Sequence, residues 1–284
     1  MEVSVGEQKR WLSGIIMVVS VSFVAAVRPL SHGLTRPPPG TEKLTALFPH
    51  VAFDDEFTEF YGGENVRRVD NGSAVNLVLD KLSVFPKNHD EIDFELLGHE
   101  KQKEWVLQTN IYADGIVSTG REEKFYLWFD PTEDFHEYSI LWNDHHITFL
   151  VDNIPIREVN HSEVMRAYPS KPMSIHSTIW DGSDWATRGG KKPINYDYAP
   201  FVASLRNFEL RGCASNGREP GPSCYGGTGG HEGLLDPVDG REFATLSEEQ
   251  RSGLAWARNG FMFYSYCDDA KRFTVMPPEC SVRR

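Results

Sequence analysis

Cysteine is absent before Cys213 in this 284-residue chain, and no Cys-x-x-Cys pair occurs anywhere, which argues against a thiolate metal site. A basic surplus is lacking too. The 29 Lys and Arg are outnumbered by 41 Asp and Glu, for a formal net charge of −12. A nucleic-acid backbone needs a basic face, so that class of partner is excluded, whereas a neutral substrate would be indifferent. Beyond Val27 no segment is apolar enough to span a bilayer. From Phe48 to Leu210 no helical period competes with the strand pattern.

What is present begins at the N-terminus. Lys9 and Arg10 precede the apolar run Trp11 to Val27, which ends at the small residues Ala25 and Ala26. This predicts a secretory signal peptide over residues 1–26, the alternative being an uncleaved signal anchor. Residues 27–47, with Arg36-Pro-Pro-Pro-Gly40, read as a Pro-rich extended lead-in. The four cysteines, Cys213, Cys224, Cys267 and Cys280, suit two disulfides in an exported chain. Three connectivities are open, and the neighbouring pairs Cys213–Cys224 and Cys267–Cys280 are the simplest. Asn71-Gly-Ser73 and Asn160-His-Ser162 are glycan acceptor triplets.

Residues 48–211 read as short β segments: 74–79, 105–112, 125–129, 138–142, 146–151 and 173–180. Asp114-Gly115, Asp130-Pro131 and Asp152-Asn153 punctuate them, a spacing that predicts an all-β sandwich or barrel. Residues 212–284 form a C-terminal extension. Its loop at 214–240 is followed by one helix, capped by Ser247 with Gln250 three residues on. Asn259-Gly260 is expected to end that helix near Arg258.

The run His89-Asp-Glu-Ile-Asp-Phe-Glu-Leu-Leu-Gly98 alternates strictly. On a strand, Glu91, Asp93 and Glu95 share one face and Ile92, Phe94 and Leu96 the other. Like charges stacked this way repel and raise at least one pKa. Glycoside hydrolysis exploits such a pair, one carboxylate attacking and one carboxylic acid protonating the leaving oxygen. A solvated acidic face, or a calcium-dependent carbohydrate-binding jelly roll using the acids as ligands, are the other readings. Cα atoms four apart on a strand lie about 13 Å apart. The outer carboxyls must therefore lean together to reach the roughly 5 Å of a retaining mechanism.

This run resembles the active-site signature of plant xyloglucan endotransglucosylase/hydrolases, within glycoside hydrolase family 16. Gln108-Thr-Asn110, Tyr126-Leu-Trp-Phe-Asp-Pro-Thr132, Tyr138-Ser-Ile-Leu-Trp142, Pro155-Ile-Arg157, Trp180-Asp-Gly-Ser-Asp-Trp-Ala-Thr187 and Tyr264-Ser-Tyr-Cys267 resemble family segments in the same order. The resemblance implies a curved jelly-roll β-sandwich with an open cleft and a short helix-containing extension. It implies Glu91 as nucleophile, Glu95 as acid/base and Asp93 as helper between them. Gln108, Thr109, Asn110, Gly120, Arg121, Glu122, Asp184, Trp185, Gly189 and Arg272, with Glu95, are the implied substrate contacts. Gly120 stands where the family commonly has an acid or amide.

The implied reaction cleaves xyloglucan with retention and passes the glycosyl group to another chain or to water, without metal or cofactor. The implied setting is the apoplast, the protein being secreted and acting as a monomer on xyloglucan polymer and oligosaccharide acceptors. Between Ser83 and Val84 family members carry about 35–40 further residues, enough for two to four strands. Their absence raises an alternative, a truncated form that binds wall glucan without turnover.

Overall fold

The computed structural model describes residues 2–4, 11–23, 50–53, 58–59, 66–78, 90–97, 105–113, 120–162, 168–171, 173, 175–179, 181–183, 193–215, 238 and 240–281. Its strands are β1 (Glu2–Ser4), β2 (Trp11–Phe23), β3 (His50–Val51), β4 (Thr58–Glu59) and β5 (Val66–Val69). Next come β6 (Ala74–Val78), β7 (Glu91–Leu97), β8 (Val106–Tyr112), β9 (Glu123–Tyr126) and β10 (His136–Trp142). The remainder are β11 (His146–Val151), β12 (Ile154–Asn160), β13 (His176–Thr178), β14 (Val202–Ser215) and β15 (Met262–Ser265), with one helix, α1 (Glu248–Phe261), between the last two.

An eight-stranded sheet runs β12-β11-β10-β2-β14-β6-β5, with β3 also on β14; a four-stranded sheet runs β15-β9-β8-β7; β13-β1-β4 form a third. The two larger sheets pack face to face, the sandwich expected of a jelly roll. Phe94 of β7 crosses the interface, its ring meeting Phe149 edge-on at 5.2 Å and Tyr138 at 5.8 Å. Leu107, Ile111 and Phe125 from one sheet and Ile140, Ile147, Phe149 and Val151 from the other fill the core. The alternation of β7 thus has its cause: the apolar set buys burial on the inner face and the acids are left on the outer one. The β11–β12 hairpin turns at Asp152 and Asn153, both at positive φ, as a two-residue hairpin requires.

The apolar run expected to be removed as a signal peptide forms β2, antiparallel to β10 on one side and β14 on the other. Ile15, Ile16, Val18, Val19 and Val21 favour an extended backbone. Two facing sheet edges supply its ladder partners, and its removal at export would leave those edges opposed. The Ser83–Val84 junction and the bond expected between Cys213 and Cys224 lie outside what the structure describes.

The C-terminal extension shares the sandwich, because β15 pairs with β9. Ser247 caps α1 as expected: its hydroxyl accepts from the Gln250 N–H, and the Gln250 side chain accepts from the Ser247 N–H. The helix runs three residues past the expected stop at Arg258. Phe261 packs on Trp256 at 4.8 Å and on Trp128 at 5.3 Å, and this apolar burial outweighs the turn preference of Asn259-Gly260. Trp128 is drawn to the same cluster, so the strand expected over 125–129 ends at Tyr126 instead. The Cys267–Cys280 disulfide is formed.

A buried ion network locks these parts together. Glu123 and Arg157 are both wholly inaccessible. Arg157 lies 3.7 Å from Glu123 through its Nε, and donates to the Thr109 carbonyl and hydroxyl at 3.1 and 2.9 Å. Arg258 of α1 donates to both Glu123 oxygens, at 2.6 and 3.3 Å, and the Ser265 hydroxyl donates at 3.2 Å. Removing one member of a buried pair leaves the others uncompensated. Glu123→Ala should therefore cost roughly 3–5 kcal/mol in urea unfolding; a loss below about 1 kcal/mol, the range of a surface ion pair, would contradict this.

Candidate active site

The register of the four-stranded sheet lays out the floor of the site row by row. Glu91 pairs with Tyr112, Asp93 with Asn110, and Glu95 with Gln108, which in turn pairs with Lys124 of β9. Paired residues point to the same face, so the acids, two amides, a phenol and an ammonium share one surface. Asp90 anchors the strand just ahead of Glu91. Its buried carboxylate accepts the Ser170 and Lys171 N–H groups, each at 2.8 Å.

The three acids have unlike partners. Tyr112 donates its hydroxyl to Glu91 Oε2, and Gln108 donates its amide to Glu95 Oε2. Among the described residues no N–H or O–H donor reaches Asp93, whose two oxygens are buried. Its hydrogen bond is to Glu91, and two carboxyls can share one only if a proton sits on one of them. Burial, then the charges of Glu95 and Glu91, then that shared bond hold Asp93 well above the usual carboxylate range, against the opposing pull of Arg157. A proton held there belongs to the Asp93–Glu91 pair as a unit.

Glu95 is pushed up to about 7, chiefly by burial and further by the charge of Glu91, while the Gln108 hydrogen bond and Lys124 pull it down. Tyr112 is raised far above the phenol range by burial first and by its bond to Glu91 second, so it remains a donor. The row thus holds an acid that keeps its proton near neutrality beside carboxyls in different environments, the arrangement that separates acid from base roles. Among the described residues no three His, Cys, Asp or Glu side chains converge as a cation would require.

The expected substrate contacts divide into three groups. Gln108, Asn110 and Glu122 line the floor. The Arg121 N–H donates to Asn110 Oδ1 at 2.8 Å and so fixes how that amide presents its NH2 group. Arg272 reaches this floor from the extension, donating to Glu122 at 2.8 Å and to the Tyr264 hydroxyl at 3.1 Å.

Two expectations are corrected. Thr109, between Gln108 and Asn110, faces the core and bonds Arg157, because alternation turns every second residue inward. Arg121 is buried against Glu279, where it ties the segment leading into β9 to the extension rather than facing a ligand. Gly120 contributes room: a Cβ there would stand 2.7 Å from Glu122 Oε1 and 3.1 Å from an Arg272 nitrogen. Asp184, Trp185 and Gly189 lie outside the described residues. Tyr112, Asp90 and the Glu123 network were not anticipated; only the strand register, which sequence spacing does not reveal, could have placed Tyr112 beside Glu91.

A β-sandwich presenting carboxyls of unequal proton affinity beside side-chain amides fits a carbohydrate-active acid/base enzyme. Residues 64–198 match the family model for glycosyl hydrolases family 16, and residues 238–280 match that for the xyloglucan endo-transglycosylase C-terminus. The chain is 40% identical over 274 residues to probable xyloglucan endotransglucosylase/hydrolase protein 27 of Arabidopsis thaliana, covering 82% of this chain and 80% of that one. It is 45% identical over 212 residues to the probable protein 30 of the same name and organism, covering 74% and 60%. Among solved structures it is similar to a Crh5 transglycosylase in complex with NAG, at 18% identity and a TM-score of 0.42, over 71% of this chain and 64% of that one. The chain belongs to the xyloglucan endotransglucosylase/hydrolases of glycosyl hydrolase family 16.

The pH dependence follows from Glu95. If Glu95 is the group that donates the proton, kcat/KM should fall as pH rises through about 7. Lys124→Met removes a cation that lowers Glu95, and should move this alkaline limb upward. An unmoved limb in pH–rate profiles of that variant would contradict the assignment.

Proposed function

We propose that this enzyme cleaves the β-glucan backbone of xyloglucan with retention, Glu91 acting as nucleophile and Glu95 as acid/base. The observation that carries the reading is Glu95, held acid to about 7 two strand positions from Asp93 and four from Glu91. In the first half-reaction Glu91 attacks the anomeric carbon, the glycosidic C–O bond breaks, and Glu95 gives its proton to the departing oxygen. In the second, Glu95 takes the proton of an incoming hydroxyl as that oxygen displaces Glu91. A proton held within the Asp93–Glu91 pair eases the change of charge as the nucleophile is consumed and restored.

Family resemblance supports a second glucan chain as acceptor over water, and Gln108, Asn110, Glu122 and Arg272 as hydrogen-bonding groups for sugar hydroxyls. A row of acids complete in every member, together with family membership, favours turnover over glucan binding alone. Incubated with xyloglucan and a labelled xyloglucan oligosaccharide, the protein should put label into polymer, and Glu91→Ala should lower the rate by about a thousandfold or more. New reducing ends without labelled polymer would indicate hydrolysis, and the absence of both products would overturn the proposal.

We place the mature enzyme, acting as a monomer, in the plant cell wall. The terminal apolar run and the exposed Asn71 and Asn160 triplets support export with glycans attached. N-terminal sequencing of protein recovered from the wall space should begin near Val27; a start at Met1 would contradict cleavage and retain β2 in the sheet.

A further inference from the structure

The floor of the site does not end at Lys124. Two residues along β9, Tyr126 pairs with Val106, which pairs with Leu97 of the acid strand, so Tyr126 lies on the same face one row beyond Glu95. Its ring stacks on that of Phe263 with centroids 4.2 Å apart and planes 20° from parallel. Both rings are open to solvent, Tyr126 at 38% and Phe263 at 45%. Only Tyr196 and Val275 join them as exposed large hydrophobics among the described residues, so half of that set forms one contiguous stack. Scattered exposed apolar residues need no explanation, but a paired, solvent-facing one does.

The backbone is bent to make the pair. The β9–β15 register shifts between Met262 and Tyr264, which face Phe125 and Lys124. In a regular strand Phe263 and Tyr264 would point to opposite faces. Here Phe263 meets Tyr126 while Tyr264 lies under the Lys124 ammonium at 5.7 Å, and Lys124 and Tyr126 share a face. The bulge turns two consecutive aromatics to the same side, the re-aiming for which bulges near sites are known. Beside them opens a groove of about 380 Å³ lined by Met262, Phe263, Tyr264, Ser265, Asp268 and Asp269.

We infer that the Tyr126–Phe263 stack is a platform for a non-reacting sugar ring of a neutral β-glucan chain lying across the strands. This rests on the proposed function and adds to it a site remote from the bond being broken. Strands are about 4.8 Å apart, which puts β9 and β15 roughly 10 and 14 Å from the acid strand. A pyranose offers a C–H face to an aromatic ring and hydroxyls at its rim. The stack supplies the flat apolar surface, and the carboxylates of Asp268 and Asp269 in the groove supply acceptors. The same carboxylates and the acidic balance of the chain disfavour a polyanion.

The test is titration of xyloglucan polymer into Glu91→Gln protein, alone and with Phe263→Ala, Tyr126→Ala or Phe263→Trp added, alongside turnover of the otherwise native variants. Because both rings are exposed, their truncation leaves the core intact. Each alanine should weaken polymer binding about five- to tenfold, and raise KM similarly with kcat within about twofold; Phe263→Trp should restore binding. Equal binding by all variants, with the native chain turning over xyloglucan, would overturn the platform alone. Failure of the native chain to bind or turn over any β-glucan would overturn the proposed function and the platform together. Self-association that Phe263→Ala abolishes while glucan binding is unchanged would overturn the platform in favour of a contact between copies.

Discussion

One carboxylate, Glu123, stands wholly buried between two guanidinium groups, and most of the molecule is arranged around keeping it there. Arg157 arrives from the opposite sheet and Arg258 from the C-terminal helix, while Glu123 itself sits on the strand two away from the acids. A charge so deep is tolerable only when its partners are in place. Sheet, sheet and extension must therefore close together, which explains why the extension shares a sheet with the site instead of trailing from it. Arg157 has a second duty, since it also bonds Thr109 on the strand beside the acids and pulls against the rise in Asp93. A stabilising device in the core thus reaches the chemistry on the surface above it.

On that surface, unequal environments do what unequal residue types do elsewhere. Glu91 and Glu95 are the same side chain, yet one accepts a phenol and the other an amide. Asp93, between them, has no donor of its own among the described residues and is raised by burial and by the charges of its neighbours. Three acids in a row cannot all ionise cheaply, and the strand uses that cost to keep protons where acid chemistry near neutrality needs them. The Gln108 amide then serves twice, setting Glu95 and facing whatever lies above it.

Much of this was legible in the sequence because a strand has period two. The acid face, the apolar face and the inward turn of Thr109 all follow from counting by twos; Thr109 was misassigned by treating Gln108 to Asn110 as one contact unit. Tyr112 and the Glu123 network were hidden because register and inter-sheet contacts join residues far apart in the chain, and buried ions leave no local pattern. The stack at Phe263 was hidden for the opposite reason, since a bulge breaks the very alternation that makes strands readable. At the N-terminus an apolar, β-branched run suits both export and a central strand, and composition alone cannot separate the two roles.

The central claim is that Glu91, and not Glu95, becomes bonded to the sugar. Peptide mass spectrometry after brief exposure to a 2-deoxy-2-fluoro xyloglucan oligosaccharide bearing a good leaving group, which slows release of the intermediate, tests it directly. The account predicts one glycosyl adduct, on the peptide containing residues 90–97 and at Glu91. An adduct on Glu95, or turnover of the same probe with inverted configuration and no adduct, would contradict it.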